Sequence, residues 1–418
     1  MDQVDVLGGA GDDSLVVDYT SRFEWSAGRL TYDGGAGADS LSVADAAGAA
    51  GLAGANYTPG PIAGNGRLSH AAATTTAHID FANLEPVYDF TSATSVIVNA
   101  GNAANQISYF TDNGAGTLDT LVGGAGYTPG TYLNIPLTGG AGSGARANIT
   151  VDGTGTVTAV LLVNDGSGYA DNDVLSASNV PLGGAGAGFS IQVASFSATV
   201  SVDNQEVLVF ANKTDLVINA EGGSDDVSLN WQSGDPAQTG PAGLATISVN
   251  GGDPTGGSDT VVVTATSAQD TVVVTPTAAD AMQVVGLGPV INLATTEHVL
   301  YDGQGGNDDL AVNGDGAAAG NDTFTHSPGT TPDAGTILVN SLLPLEYTNL
   351  GAAPTPGLLT LDGLTGINTI HLLGTGQNDR INVLPIGGGI QHTLSNGAVR
   401  TNVNPTNIEN LVIDSNPV

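Results

Sequence analysis

The stretch "VLGGAGDDSLVV" at residues 6–17 packs three glycines and two aspartates into one turn and then runs into apolar residues. The same form returns without gaps as "YDGGAGADSLSV" (32–43), "YDGQGGNDDLAV" (301–312) and "LDGLTGINTIHL" (361–372). Shorter versions are "GGSDDVSL" (222–229), "GGSDTVVV" (256–263), "AGNDTFTH" (319–326) and "GQNDRINV" (376–383), with a weaker "SAQDTVVV" at 267–274. The acids at issue are Asp13, Asp39, Asp225, Asp259, Asp308, Asp322 and Asp379, with Asp270 in the weakest copy. These residue types suit a hard cation. Calcium takes roughly six to eight oxygens at about 2.3–2.6 Å. Glycine adopts positive φ without a Cβ clash, so a turn can aim its carbonyls inward. The aspartate adds charge, and the apolar residue two positions on anchors the turn in the core. The same residues have a plainer use. Asp and Asn bond to their own turn backbone and tolerate left-handed geometry with no metal. Asn105 and Asn368 stand in the acid's place in two copies, which suits a hydrogen-bonded ladder as well as a ligand set.

Gly8, Gly9, Gly11, Asp13 and Leu15 match the nonapeptide Gly-Gly-x-Gly-x-Asp-x-apolar-x position by position. Gly34, Gly35, Gly37, Asp39 and Leu41 match it again, and "GQGGNDDLA" keeps Gly303, Gly306, Asp308 and Leu310. The pattern resembles the hemolysin-type (RTX) calcium-binding repeat of secreted bacterial proteins. The resemblance implies calcium as cofactor, held at the seven aspartates named first above, with affinities on the order of 10⁻⁴–10⁻³ M as in extracellular modules. In that family the nonapeptides run in tandem. Here the acids are isolated, at intervals such as 11 residues (259 to 270) and 14 residues (308 to 322). Any complete site therefore has to be assembled from turns of different copies.

Other residues point to chemistry more weakly. Glu85, Glu206, Glu297 and Glu409 each precede an apolar strand, in "NLEPVYDF", "NQEVLVF", "TEHVLYD" and "NIENLVID". They read as corner residues that cap backbone donors. A parallel β-helix enzyme acting on polysaccharides, lyase or hydrolase, needs clustered carboxylates with a basic residue. Arg22, Arg29, Arg67, Arg146, Arg380 and Arg400 lie in unrelated contexts. His70, His78, His298, His326, His371 and His392 show no metal-ligand spacing. "GGAGSGARA" (139–147) lacks the Lys-Ser/Thr of a nucleotide loop and reads as a β-turn. No catalytic residue is assigned, and the enzyme stands as the alternative.

The elements that must position these turns are strands. Short β-branched runs such as "SVIVNA", "DLVINA", "ATISVN", "DTVVVTAT" and "LLTLDG" are bounded by Gly, Asn, Asp or Pro. Helical periodicity is nearly absent. Strand, turn, strand and corner recurring without helices predict an all-β parallel β-helix or β-solenoid, with tandem β-sandwich domains as the competitor. The expected organisation is solenoid repeats over 1–112, an inserted Gly-rich β module over 113–199 and further repeats over 200–418. In the module, "GAGYTPGTYL" and "GSGYADNDVL" echo one another. Residues 124–197 resemble a Gly-rich β module of tailed-phage virion structural proteins, which implies a displayed binding or spacing element. The remainder resembles large secreted bacterial β-repeat proteins. Segment 44–66, rich in Ala and Gly, reads as a loop or a poorly packed excursion.

Composition bounds the function. The 418 residues carry 41 acidic and 7 basic side chains, a net charge of −34, with no cysteine. Only seven of the acids are Glu, and Lys213 is the one lysine. Such a chain has too few cations to displace counterions from nucleic acid, and anionic membranes repel it. No apolar run approaches the roughly 20 residues of a membrane span. "MDQVDV" has no apolar signal-peptide segment, so the chain is expected to be a fragment or mature segment of an exported protein at a bacterial surface. The expectation is a non-enzymatic, extracellular structural or adhesive protein that calcium rigidifies. Its expected partners are Ca²⁺, surface glycans or further copies of itself in a filament. A phage tail or receptor-binding fibre is a second alternative.

Overall fold

The structure is a computed structural model that describes residues 3–20, 29–45, 51–73, 75–231, 243–252, 258–315, 320–351, 357–384, 388–394 and 397–414. Arg22, residues 46–50 and the glycines of the 256–263 repeat lie outside them. The regular structure is almost wholly strand, with one short helix among the described residues, Asn179–Leu182. Alternation in the sequence is the reason. In Ser95–Asn99, Asp215–Asn219, Thr246–Asn250 and Leu358–Asp362 every second side chain is apolar and buried, and the ones between, mostly polar, are half-buried or exposed. Each sheet therefore has one face to bury.

Two compact units emerge. The first comprises residues 1–100, 107–218 and 238–245. In it Gln3–Ala10 pairs in parallel with Arg29–Ala36, which pairs in parallel with Thr76–Ala82. A second sheet runs Ser14–Asp18, Ser40–Ala44, Val87–Phe90 and Leu208–Phe210, again in parallel. The chain thus passes from a strand of one sheet through a glycine turn to a strand of the other. Equivalent strands of successive copies then lie side by side. The antiparallel strands Leu52–Pro59 and Gly66–Ala72 fill the first sheet between Thr76–Ala82 and Ser95–Asn99. This corrects the reading of 44–66 as a loose excursion. Ala55 and Tyr57 are fully buried, and the Tyr57 hydroxyl donates to the Glu206 carbonyl at 2.6 Å. Small residues there let a strand in; they do not leave it unpacked.

Residues 107–202 leave the second sheet as one long antiparallel ribbon, Gln106–Tyr127 against Gly184–Val202. Between its arms lies a three-stranded sheet of Gly130–Pro136, Arg146–Val151 and Val157–Asn164. The Gly-rich segment 113–199 falls inside this excursion.

The second unit comprises residues 101–106, 219–237 and 246–418. One sheet includes Thr271–Ala278, Asp309–Asn313, Leu358–Asp362 and Asn402–Thr406, all parallel. The other includes Asp226–Asn230, Thr260–Thr264, His298–Asp302 and Leu345–Thr348, also parallel. Antiparallel hairpin strands such as Ala281–Val285 and Gly335–Val339 are spliced between parallel neighbours.

Candidate functional site

Most acids of the repeated turn stand one residue before a strand, Asp13 before Ser14–Asp18, Asp39 before Ser40–Ala44, Asp225 before Asp226–Asn230 and Asp259 before Thr260–Thr264, whereas Asp379 opens its strand, Asp379–Leu384. Parallel pairing at matching positions brings the acids of adjacent copies into register. The carboxylate of one copy then accepts the backbone N–H of the acid in the copy beside it. In the first unit the Asp13 N–H donates to Asp39 Oδ1 at 2.7 Å. In the second, Asn105 donates to Asp225 at 2.7 Å and Asp225 to Asp259 at 2.9 Å. Asp270 likewise donates to Asp308, and Asp322 to Asn368, each at 2.9 Å. Two ladders end on a longer acid: Glu297 Oε2 takes the Asp259 N–H at 2.8 Å, and Glu409 Oε2 takes the Asn368 N–H at 2.6 Å. Backbone bonds return the other way, Ser40 to the Asp13 carbonyl and Thr260 to that of Asp225. One side-chain oxygen per turn is therefore a structural acceptor.

The second atom of the side chain explains more. Asn368 Nδ2 donates to the carbonyls of Gly363 at 3.1 Å and Asn407 at 2.9 Å. A methyl group added at Gly363 would meet both Asn368 Nδ2 and the Asn407 carbonyl. In the aspartate copies the same seat holds Oδ2. A methyl at Gly303 would meet Asp308 Oδ2 and the Asn349 carbonyl, and one at Gly251 would meet Asp259 Oδ2 and the Thr295 carbonyl. At Gly8 it would meet Asp13 Oδ2 and the Gly34 carbonyl. An oxygen that only accepts thus faces groups that only accept. Oδ2 of Asp13, Asp39, Asp259 and Asp308 is buried without a hydrogen-bond donor. Such a seat calls for a proton or a cation. Burial pushes the Asp308 carboxyl up to about 7, and the charges of Asp270, Asp309 and Asp302 add to it.

The donor set fits a hard cation through oxygen alone. No three His, Cys, Asp or Glu side chains converge on one point among the described residues, so carbonyls must complete any such shell. Asp225 lies within the same ladder as Asp259. Asp322 differs: its Oδ1 accepts the Asn340 amide at 2.7 Å. Asp379 stands apart, since Thr375 donates to both of its oxygens and His392 Nε2 lies 2.8 Å from Oδ1. Burial opposes ionisation there, but the bonds from His392 and Thr375 hold the Asp379 carboxyl below the usual range.

Apart from that of Gly34, the carbonyls facing the seats belong to residues that the sequence reading did not single out. Asn83, Thr295, Asn349 and Asn407 all have left-handed backbone, with φ of 50–55°. Their signal is present in hindsight, since Asn83, Thr295 and Asn407 each stand two residues before one of the corner glutamates. Also unanticipated is a buried ionic cluster in the first unit. Lys213 Nζ lies 3.3 Å from Asp89 Oδ1, and His70 Nε2 lies 3.3 Å from Asp89 Oδ2, with all three side chains fully buried. The arginines are dispersed, except that Arg29 and Arg67 share Asp80 on an exposed sheet face. No protein-family model and no curated protein sequence matches the chain.

Proposed function

We propose that the chain is a non-enzymatic extracellular structural or adhesive repeat protein. In this reading it is a β-solenoid of stacked strand–turn–strand copies, stiffened by calcium at its Gly/Asp turns. The observation that carries the proposal is the acceptor-only seat around Oδ2 of Asp13, Asp259 and Asp308, with Oδ2 of Asp39 likewise buried without a donor. Asn368 fills the equivalent seat with an amide donor. Where Asp replaces Asn, a bound divalent ion supplies the positive charge, with carbonyls of the same and the next copy as further ligands. Such ions also offset part of the −34 net charge, which otherwise makes the copies repel one another. A surface so short of basic and aromatic groups suits display and spacing, with surface glycans or further copies of the chain as partners.

The test is elemental analysis of the purified chain together with thermal melts in chelator and in a matched salt control. Bound calcium and a melting temperature that falls only with chelator are expected. A metal-free chain with the same melting temperature in both solutions would remove calcium from the proposal and leave the seats to protons.

A further inference from the structure

Lys213 is the one lysine in 418 residues, yet it is spent in the core. It follows the strand Leu208–Phe210, which pairs in parallel with Val87–Phe90 so that Phe210 stands opposite Asp89. Lysine and aspartate, 124 residues apart, are thus brought together, Asp89 on one strand and Lys213 three residues past the end of its neighbour. His70, on the strand Gly66–Ala72 of the facing sheet, reaches across to the same carboxylate.

The two carboxylate oxygens of Asp89 are treated differently. Oδ1 accepts the Thr91 N–H at 3.1 Å and the Thr91 hydroxyl at 2.6 Å. Oδ2 has no hydrogen-bond donor in proper geometry and faces His70 Nε2. On the amine side, Nζ donates to the carbonyls of Thr91 at 2.5 Å and Ala211 at 2.9 Å, which orient it beside the carboxylate. This is the layout of an acyl-transfer site. It has a nucleophile beside a carboxyl group, with Nζ 3.3 Å from Oδ1, two donors on the oxygen that would carry negative charge, and an imidazole at the oxygen that would leave.

We propose that Lys213 and Asp89 condense to an intramolecular isopeptide bond, with His70 as the proton carrier. Burial favours the neutral amine at Lys213, although the Asp89 charge opposes this. Burial acts on Asp89 in the same neutralising sense, but Lys213 and His70 hold its carboxyl well below the usual range. The ion pair and the neutral pair contain the same protons, and one transfer from Nζ to the carboxylate interconverts them. The neutral Nζ adds to Cγ, and the electron pair of the C=O bond moves onto Oδ1, where Thr91 donates to it. His70 passes the second Nζ proton to Oδ2. The Cγ–Oδ2 bond then breaks, and water leaves with two of the three ammonium protons. The third stays on the amide nitrogen, and no oxidant or reductant is needed.

The experiment is the intact mass of the full chain, denatured after purification, followed by protease mapping. The expected mass is one water below the sequence sum, with a branched peptide joining Asp89 to Lys213. Lys213→Arg is expected at its full mass. Asp89→Asn is expected to lose one ammonia instead and to give the same cross-linked product as the parent chain. His70→Gln, followed by intact mass from the start of cell-free synthesis beside the parent chain, is expected to form the bond roughly 100-fold more slowly. A folded parent chain at its full sequence mass, or a cross-link between any other pair, overturns the proposal. Bond formation in His70→Gln at the parental rate overturns the role of His70.

Discussion

At Asp308 one carboxylate does two jobs: Oδ1 accepts the Asp270 N–H, and Oδ2 sits buried against a carbonyl. Its pKa rises from an ordinary 3.8 to about 7 on folding, chiefly through burial. Folding therefore takes up a proton. The stability this contributes is complete below pH 3.8 and is lost as pH rises through about 7. Asp308→Asn would keep the Oδ1 acceptor and turn Oδ2 into a donor, as Asn368 already does. We expect this variant, measured without calcium near neutral pH, to be more stable by about 1 kcal/mol, with the gain fading as pH falls. A variant less stable than its parent under these conditions would overturn the acceptor-only reading of the seat. The corresponding Asp259→Ala would strand the buried Asp225 N–H and should cost about 1–3 kcal/mol in a denaturant titration. The identity of these acids was legible in the sequence, because glycine turns mark them. Their ionisation was not, because it depends on which carbonyl of the neighbouring copy each oxygen meets.

At the scale of an element, the glycine turns show how stacking constrains sequence. Gly9 and Gly35 both have positive φ, 105° and 98°, and they are paired in register. A methyl group at Gly9 meets open space, whereas one at Gly35 would collide with the Gly9 carbonyl beneath it. Gly9→Ala should therefore cost only backbone strain, about 1–3 kcal/mol, while Gly35→Ala pays that and must also part the two turns. Equal losses in paired denaturation curves would show that the turns do not stack. The strands themselves were readable from period-two alternation. The hairpins spliced among them were not. Leu52–Pro59 is rich in small residues, and its burial comes from neighbours contributed by Gly66–Ala72 and Ser95–Asn99.

For the whole molecule, several raised carboxyls act in one direction. Asp165 is pushed up to about 7 by burial with Asp112 nearby, and Glu206 to about 8 by burial with Glu85 nearby. With Asp308 they make folding proton-consuming above the ordinary carboxylate range. Asp80 and Asp89, held low by their cationic partners, and Asp379, held low by bonds from His392 and Thr375, act oppositely once acid removes their charge. Calcium-free protein should therefore melt highest at mildly acidic pH, losing stability as pH rises toward about 8 and again below pH 3.8. Calcium, binding the folded form, should flatten the alkaline limb of that profile. A calcium-free profile flat between these limits would contradict the buried-carboxyl account.

By itself the sequence determined an all-β chain, because alternating β-branched runs and Gly/Asp turns are local signals that need no distant partner. It also determined which residue types line the turns, and a net charge of −34. Only the tertiary structure decided which turn stacks on which. The bonded turn residues lie 26, 34, 38, 46 or 120 residues apart, intervals set by inserted hairpins and ribbons of no fixed length. The meeting of His70, Asp89 and Lys213 arises in the same way. Parallel pairing aligns strands by position in the sheet, and separation along the chain carries no record of that alignment.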